Sequence, residues 1–271
     1  MSDLASAESV SDWNARRFWR HSFSCVLAVL GLLIGQSVVA QGLWITINAV
    51  GALPVSFIES DNPKLNLVVF SGGGGWKGNL TSRNFVIRER VALAERGANV
   101  FIFPNPSKRK ISFKYRQSEE HLNAISAVIH HVRSLNSDPI FLVGFSKGSV
   151  SAASFGKQYP ARVDDVALLS GIYKSNKKRA NKFAMGRITS ERFLAPLLVL
   201  HHAKDQCKVT WPSSAQSFFE SLDAKEKHLI MLTDGTPTGG SCGPLHYHGF
   251  EGVEASAVRG LIDWALAVSA M

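Results

Sequence analysis

A serine stands between two glycines in Gly144-Phe145-Ser146-Lys147-Gly148, after an apolar, β-favouring run and before small residues at helical spacing. A strand that turns abruptly into a helix holds the turn residue in a strained conformation, and glycines on both sides let neighbouring backbones pass close. The hydroxyl would then stand above the edge of a sheet, where the N-terminus of the following helix favours developing negative charge. We therefore interpret Ser146 as a nucleophile for acyl transfer rather than as part of a tight structural turn.

The nucleophile needs a base, and the base needs a carboxylate that orients it. Asp205 follows the apolar run PLLVLHH and so lies just beyond the C-terminal end of a predicted strand. Asp164 and Asp165 precede their strand, which places them at the opposite edge. Asp234 follows the last predicted strand and is the weaker rival, whereas Asp263 lies within the last predicted helix. Asp205 is therefore the predicted acid.

Two candidate bases lie in CGPLHYHGFEGVE, between the last predicted strand and the last predicted helix. The glycine after His248 would let that ring point back into the site while the chain turns into the helix. This favours His248, with His246 as the alternative. His201 and His202 lie at a strand end, and we interpret them as packing or supporting residues.

Four consecutive glycines in FSGGGGWKGN follow one predicted strand and precede a predicted helix. Glycines let backbone N–H groups face a substrate oxygen, so the predicted oxyanion donors are Gly73 or Gly74 together with the amide of Lys147. A phosphate-binding loop is disfavoured, because neither a Gly-Lys-Ser/Thr ending nor a dinucleotide-binding glycine pattern is present. Trp76, beside the glycines, would either wall an acyl pocket or pack in the core.

These side chains can meet only if the intervening elements bring them to one edge. Apolar strand-like runs alternate with amphipathic helical runs after an opening hairpin. Continuous apolar strands separated by helices predict an α/β fold, with a mostly parallel central sheet and helices on both faces. Right-handed crossovers then place the C-terminal ends of the strands at one edge, where ligands bind in such folds.

The composition is that of a globular chain: 271 residues, 45% hydrophobic, 19% charged, with a formal net charge of +9. The positive charge is scattered, apart from the runs KSNKKRANK (Lys174–Lys182) and SKRK (Ser107–Lys110). Neither run carries the interleaved aromatic residues of a nucleic-acid-binding face, so we interpret both as solvated loops and predict no nucleic-acid partner.

The N-terminal residues have the pattern of a secretory signal peptide. The basic stretch ARRFWRH precedes the apolar stretch SFSCVLAVLGLLIGQSVVAQG, with small or branched residues before a cut after Ala40. This predicts a signal peptide over residues 1–40, a mature domain over residues 41–271, and export to the periplasm or the medium. The alternative is an uncleaved inner-membrane anchor, because the apolar run is about long enough to span a bilayer.

Export would also determine the state of the cysteines. Cleavage removes Cys25 and leaves Cys207 and Cys242, an even pair in an oxidising compartment. Such a pair favours a disulfide.

Taken together, these residues resemble the α/β-hydrolase superfamily over roughly residues 65–270. Three segments, LVGFSKGSVSAA, HHAKDQC and CGPLHYHGFEGVE, are similar to small exported bacterial α/β hydrolases. The resemblance implies an α/β-hydrolase fold, with Ser146 as nucleophile, Asp205 as acid and His248 as base. It also implies that the two cysteines link the acid loop to the histidine loop. Lys147 departs from the pattern by placing a charge beside the oxyanion hole.

We therefore expect a serine hydrolase that cleaves a small-molecule carboxylic ester through an acyl-enzyme on Ser146. The segment from Ile172 to Leu194 is short, so any lid is small and an accessible substrate is favoured. The alternatives are a peptidase or amidase with the same triad, or a non-catalytic exported binding protein. No metal or organic cofactor is implied, because neither HHAKDQC nor HYH has a complete ligand set at standard spacing.

Overall fold

The computed structural model describes residues 43–47, 53–106, 109–174, 178–189, 192–224 and 226–270. The predicted signal peptide or anchor, with its cysteine, lies outside the described residues. Among the helices of the described ranges, none has the length and apolar character needed to cross a membrane.

The described residues form eight strands and nine α-helices, and their order alternates as the sequence predicts. The strands are β1 Leu43–Ile47, β2 Leu53–Ile58, β3 Leu65–Phe70, β4 Ala98–Ile102, β5 Ile140–Phe145, β6 Asp165–Leu169, β7 Leu197–His202 and β8 Lys227–Leu232. The helices are α1 Phe85–Arg88, α2 Arg90–Glu95, α3 Phe113–Arg116, α4 Glu119–Leu135, α5 Gly148–Gln158, α6 Lys178–Asn181, α7 Met185–Ile188, α8 Pro212–Ser221 and α9 Glu254–Ser269.

All eight strands belong to one sheet, in the order β1-β2-β4-β3-β5-β6-β7-β8. Neighbouring strands from β4 to β8 pair in parallel, whereas β1 and β2 form an antiparallel hairpin and β2 is antiparallel to β4. The predicted parallel sheet and opening hairpin are therefore confirmed. Every residue of the inner strands β3 to β7 is buried, whereas the edge strand β8 is only half-buried. Burial on both faces explains why the inner strands have continuous apolar runs.

The core consists of two layers, one on each face of the sheet. Val68 and Phe70 of β3 contact one cluster, and the alternating residues Leu67 and Val69 contact the other. This alternation follows from the two-residue period of a strand. Helices α4, α5 and α8 cover the first face, and α1, α2 and α9 cover the second. The sheet is thus held between helices, and its carboxyl edge carries the loops that follow β3, β5, β7 and β8.

Candidate active site

Ser146 is the first residue after β5 and occupies a sharp strand-to-helix turn. Its φ of 51° lies in the left-handed region, which a residue with a side chain rarely adopts. The turn is held by three hydrogen bonds: the Ser146 amide donates to the Leu169 carbonyl at 2.8 Å, and the Ser146 carbonyl accepts from the Ser149 amide at 3.1 Å and the Ser149 hydroxyl at 2.6 Å. Strained backbone of this kind persists only where the surroundings fix it.

The two glycines of this turn are required by close backbone contacts. A Cβ atom on Gly148 would lie 2.0 Å from the carbonyl oxygen of Phe70, and one on Gly144 would lie 2.5 Å from the Cα of Ser149. Both positions therefore exclude any side chain. The spacing of the motif thus follows from how α5 packs back against β3 and β5.

Asp205 and His248 meet at the same edge of the sheet. Asp205 follows β7, and His248 lies in a short 3-10 turn after β8, 43 residues further along the chain. Both side chains are buried, and His248 Nδ1 lies 2.9 Å from Asp205 Oδ2. Because an ionised carboxylate can only accept, the ring donates through Nδ1–H. The lone pair of Nε2 then remains available to take a proton.

Three further groups approach the Asp205 carboxylate. The Cys207 amide donates to Oδ1 at 2.8 Å, and the Thr210 hydroxyl donates to Oδ2 at 2.9 Å. The same hydroxyl lies 3.0 Å from His248 Nδ1, so Thr210 bridges the acid and the imidazole. His201 Nε2 lies 3.4 Å from Oδ2. Sequence reasoning missed Thr210, for which the only signal was its position five residues after the predicted acid.

These contacts determine the charge state of Asp205. Burial alone would raise the pKa of its carboxyl, but the neighbouring ring N–H groups of His201 and His248 outweigh burial. The pKa of Asp205 is therefore held well below its ordinary value. A carboxylate that stays ionised can accept from His248 and stabilise an imidazolium.

Ser146 approaches this pair through its neighbour in the chain. The Phe145 ring packs against the His248 ring, with 5.3 Å between centroids. Within the described residues, no hydrogen bond joins the Ser146 hydroxyl to His248. The structure therefore pairs Asp205 with His248 directly, and it brings Ser146 to the same edge without a direct hydrogen bond. Such bonds are often long in ligand-free enzymes and tighten when substrate binds.

The rival residues have other surroundings. His246 is buried edge-on against the Tyr247 ring, with centroids 5.1 Å apart, and the described residues give it no carboxylate partner. The backbone carbonyl of Asp234 accepts from His202 Nε2, while the Asp234 residue as a whole is exposed. Among the candidate acids and bases of the described residues, the pair in hydrogen-bond contact is Asp205 with His248.

The glycine loop after β3 lies against the nucleophile. A Cβ on Gly72 would lie 2.9 Å from the Cβ of Ser146, a contact that the sequence did not single out. The Gly75 amide is used within the turn, where it donates to the Gly72 carbonyl at 3.0 Å. Gly73 adopts a φ of 58°, as only glycine does readily. The predicted donors Gly73 and Gly74 are thus held in a turn beside Ser146.

Trp76 packs in the core, which is one of the two roles considered for it. Its side chain is buried in the core, and its indole N–H donates to the Asn79 carbonyl at 2.9 Å. It also lines a cavity of about 240 Å³ next to Gly72.

Two separate links hold the histidine loop in place. Cys207 and Cys242 form a disulfide, as predicted, which joins the acid loop to the histidine loop. From the other side, the Arg88 guanidinium donates to the carbonyl oxygens of Pro244 and Gly249, both at 3.1 Å. Arg88 also pairs with three acidic side chains, those of Glu89, Glu251 and Glu254. The loop on either side of His248 is therefore fastened to α1.

The remaining histidines near Asp205 have structural surroundings. His201 is buried, with its ring centroid 5.8 Å from that of Tyr173. His202 is also buried and stacks on Tyr247, with centroids 4.5 Å apart. In the part of the chain that the structure describes, no group of three or more His, Cys, Asp or Glu residues could hold a metal ion.

Comparison with solved structures places this architecture among known folds. An α/β serine hydrolase homologue from Coxiella burnetii is 17% identical, with a TM-score of 0.58, over 82% of this chain and 96% of that one. A dienelactone hydrolase from Anabaena variabilis is 12% identical, with a TM-score of 0.60, over 83% and 96%. A monoacylglycerol lipase from Paleococcus ferrophilus is 17% identical, with a TM-score of 0.57, over 80% and 99%.

No protein-family model matches the chain, and no curated protein matches it in sequence. At these identities the solved structures bear on the fold. The sheet order, the helices on both faces and the strand-to-helix turn at Ser146 agree with that likeness. The chain therefore has the α/β-hydrolase fold.

Proposed function

We propose that this protein is a serine hydrolase that cleaves carboxylic esters through an acyl-enzyme on Ser146. The observation that carries the proposal is the buried hydrogen bond of 2.9 Å between His248 Nδ1 and Asp205 Oδ2, at the sheet edge that also bears the strained Ser146 turn. An oriented imidazole beside a serine held in this way is the arrangement that acyl transfer requires.

In the first half-reaction, the Ser146 Oγ attacks the ester carbonyl carbon while His248 Nε2 takes its proton. The carbonyl π bond breaks, and the negative charge moves to the oxygen, which accepts from the amides of Lys147 and of Gly73 or Gly74. The tetrahedral species then collapses. The bond to the alcohol oxygen breaks, and His248 gives its proton to the departing alkoxide.

Water completes the cycle in the second half-reaction. His248 takes a proton from water as the water oxygen attacks the acyl carbon, and it then returns that proton to the Ser146 oxygen as the acid leaves. Asp205 remains ionised throughout. It fixes the tautomer with the proton on Nδ1 and stabilises the imidazolium that forms twice in each cycle.

The neighbours and the shape of the edge favour a small ester. Solved structures with this fold include proteins described as an esterase and a monoacylglycerol lipase. The segment that follows β6 contains α6 and α7, which are only four residues each. Such short helices support a small lid, and with it an accessible site and a compact substrate.

The test is fluorophosphonate labelling followed by a panel of 4-nitrophenyl esters. We expect labelling of the wild-type protein, no labelling of Ser146→Ala, and a loss of kcat of at least about 10⁴-fold in that variant. The exposed Ser137→Ala is the matched control and should behave as wild type. Preferential cleavage of aminoacyl amides would assign a peptidase instead. If the wild type shows no labelling and no turnover, the result would assign a non-catalytic binding protein.

We also propose that the protein is exported, with the N-terminal segment acting as a signal. The Cys207–Cys242 disulfide supports this, because such bonds persist mainly in oxidising compartments. Cell fractionation with thiol alkylation should find the protein outside the cytoplasm with both cysteines blocked. Two free thiols in a cytoplasmic protein would contradict the proposal.

A further inference from the structure

A cavity of about 440 Å³ lies between the α6–α7 segment and α8. Its apolar lining comes mainly from three aromatic side chains, Tyr173, Trp211 and Phe218. Its polar lining includes two cationic residues, Lys174 and Arg187, both exposed. Cavities of this size, mostly apolar with a few polar groups, are typical of small-molecule sites.

The charge around this cavity is one-sided. The residues that line it include serines and an asparagine but no aspartate or glutamate. The segment KSNKKRANKFAMGR, residues 174–187, contains six basic residues and no acidic residue. The described residues form no ion pair with Lys174 or Arg187. A cluster of one sign of charge at a cleft attracts ligands of the opposite sign.

Contacts connect the cavity walls to the acid side of the candidate active site. The Tyr173 ring contacts the His201 ring, and His201 Nε2 lies 3.4 Å from Asp205 Oδ2. Trp211 directly follows Thr210, whose hydroxyl contacts both Asp205 and His248. Asp205 and His248 do not line the cavity themselves, but two of its walls, Tyr173 and Trp211, are each separated from this pair by one intervening residue.

The nucleophile side is connected as well. The amide of Ile172, next to Tyr173, donates to the Ser149 hydroxyl at 3.3 Å. That hydroxyl in turn donates to the Ser146 carbonyl. The residue that precedes Tyr173 thus contacts the turn that carries Ser146.

We propose that the substrate is an ester with an anionic group, a carboxylate or a phosphate, and that this cavity takes the charged end. The inference rests on the proposed function, since it names the substrate class of that site. Lys174 and Arg187 would bind the charge with charge-assisted hydrogen bonds, and the aromatic side chains would pack on the carbon chain. Anionic substrates would also approach faster at low salt.

The test compares charged and neutral esters of matched shape. One pair, mono-4-nitrophenyl adipate and 4-nitrophenyl hexanoate, places the charge on the acyl side. The other, 4-acetoxybenzoate and 4-acetoxybenzamide, places it on the alcohol side. We expect kcat/KM for the charged member of at least one pair to exceed that of its neutral partner about fivefold, and this preference to shrink as salt is added.

Variants of the basic residues test whether the preference for charged esters depends on the cavity. The double variant Lys174→Gln/Arg187→Gln should lose the preference and retain the rate on the neutral esters. Lys182→Gln removes an exposed cation of the same segment that does not line the cavity, and it should retain the preference. Equal rates on both members of each pair, or a preference that survives in the double variant, would overturn the inference while leaving the esterase intact. A rate increase seen only with vesicles of an anionic phospholipid would overturn it in favour of a lipid surface.

A binding measurement separates this inference from the proposed function. Calorimetry on Ser146→Ala should show tighter binding of monomethyl adipate than of methyl hexanoate, with the difference lost when the Lys174→Gln/Arg187→Gln changes are added. If the wild type hydrolyses no ester, the proposed function fails, and the calorimetry still decides whether the cavity binds anions.

Discussion

Two aspartates at opposite edges of the same sheet, Asp205 and Asp165, are both buried, yet their pKa values move in opposite directions. Burial and, to a smaller extent, the nearby charge of Asp164 together raise the pKa of Asp165 to about 8. The pKa of Asp205 is instead held low, because the neighbouring His201 and His248 rings outweigh burial. The same residue type in a similar degree of burial thus has two different charge states.

The difference lies in the partners. Asp205 accepts from the Cys207 amide, the Thr210 hydroxyl and the His248 ring. Asp165 Oδ1 has no hydrogen-bond partner among the described residues. Donors that stabilise the charged form offset desolvation, whereas burial without donors favours the neutral acid. The carboxyl edge of the sheet therefore holds an ionised acid, and the amino edge holds one that is largely protonated at neutral pH.

The largest expected effect comes from removing the charge at Asp205. Asp205→Asn would let the amide hydrogen-bond the wrong tautomer of His248, so kcat on a 4-nitrophenyl ester should fall about 10⁴-fold. The exposed Asp263→Asn is the control and should leave kcat unchanged. A loss of less than tenfold in Asp205→Asn would show that Asp205 does not orient the base.

Removing the disulfide should have the next largest effect. Cys207→Ser/Cys242→Ser releases a link across 35 residues, so the free energy of unfolding should fall by about 2–4 kcal/mol in urea titrations. We expect kcat to fall by about tenfold, because a small misplacement of His248 against Asp205 is costly in rate. Reducing agent should act on the wild type in the same way and should not affect the double variant. Equal sensitivity of both proteins to reductant would contradict this assignment.

Thr210 offers a finer test of the same edge. Thr210→Val removes the bridging hydroxyl while nearly retaining the shape, and the direct bond from His248 to Asp205 remains. We expect kcat to fall about tenfold with KM unchanged, since one charge-assisted hydrogen bond to Asp205 is lost. Thr210→Ser keeps the hydroxyl and should recover most of the rate. A change in KM alone would place Thr210 in substrate binding instead.

The smallest effect on activity is expected for Asp165→Asn, because Asp165 lies at the edge of the sheet opposite the candidate site. We expect this variant to change stability alone. Its folded pKa is raised, so the folded state binds more protons than the unfolded chain between about pH 4 and pH 8. Wild-type stability should therefore fall as the pH rises through that window, and Asp165→Asn should remove this part of the slope without changing kcat.

For Asp205 the sign is opposite, because a lowered pKa adds stability above about pH 4 that is lost on acidification. Melting temperatures from about pH 2 to pH 9 check both, with Asp263→Asn as control. A slope unchanged in Asp165→Asn would contradict the raised pKa.

Much of the fold follows from local pattern. The apolar runs that became β3 to β7 are continuous because those strands are buried on both faces, and that pattern predicts parallel pairing. The edge on which each acidic residue lies also follows, since Asp205 comes after its strand and Asp165 begins one. The glycines around Ser146 also indicated a tight strand-to-helix turn from the sequence, because a close backbone approach excludes side chains wherever it occurs.

The amino-acid sequence by itself determined the order of strands and helices, the edge that bears Ser146, Asp205 and His248, and the pair of cysteines able to join two loops. Only the tertiary structure decided that His248 rather than His246 contacts Asp205, that Thr210 bridges them, and that Arg88 fastens the histidine loop. The physical reason is the difference in range between the two kinds of interaction. Backbone periodicity acts over a few residues, whereas these hydrogen bonds join groups up to 161 residues apart, and their geometry depends on strand order and loop conformation together.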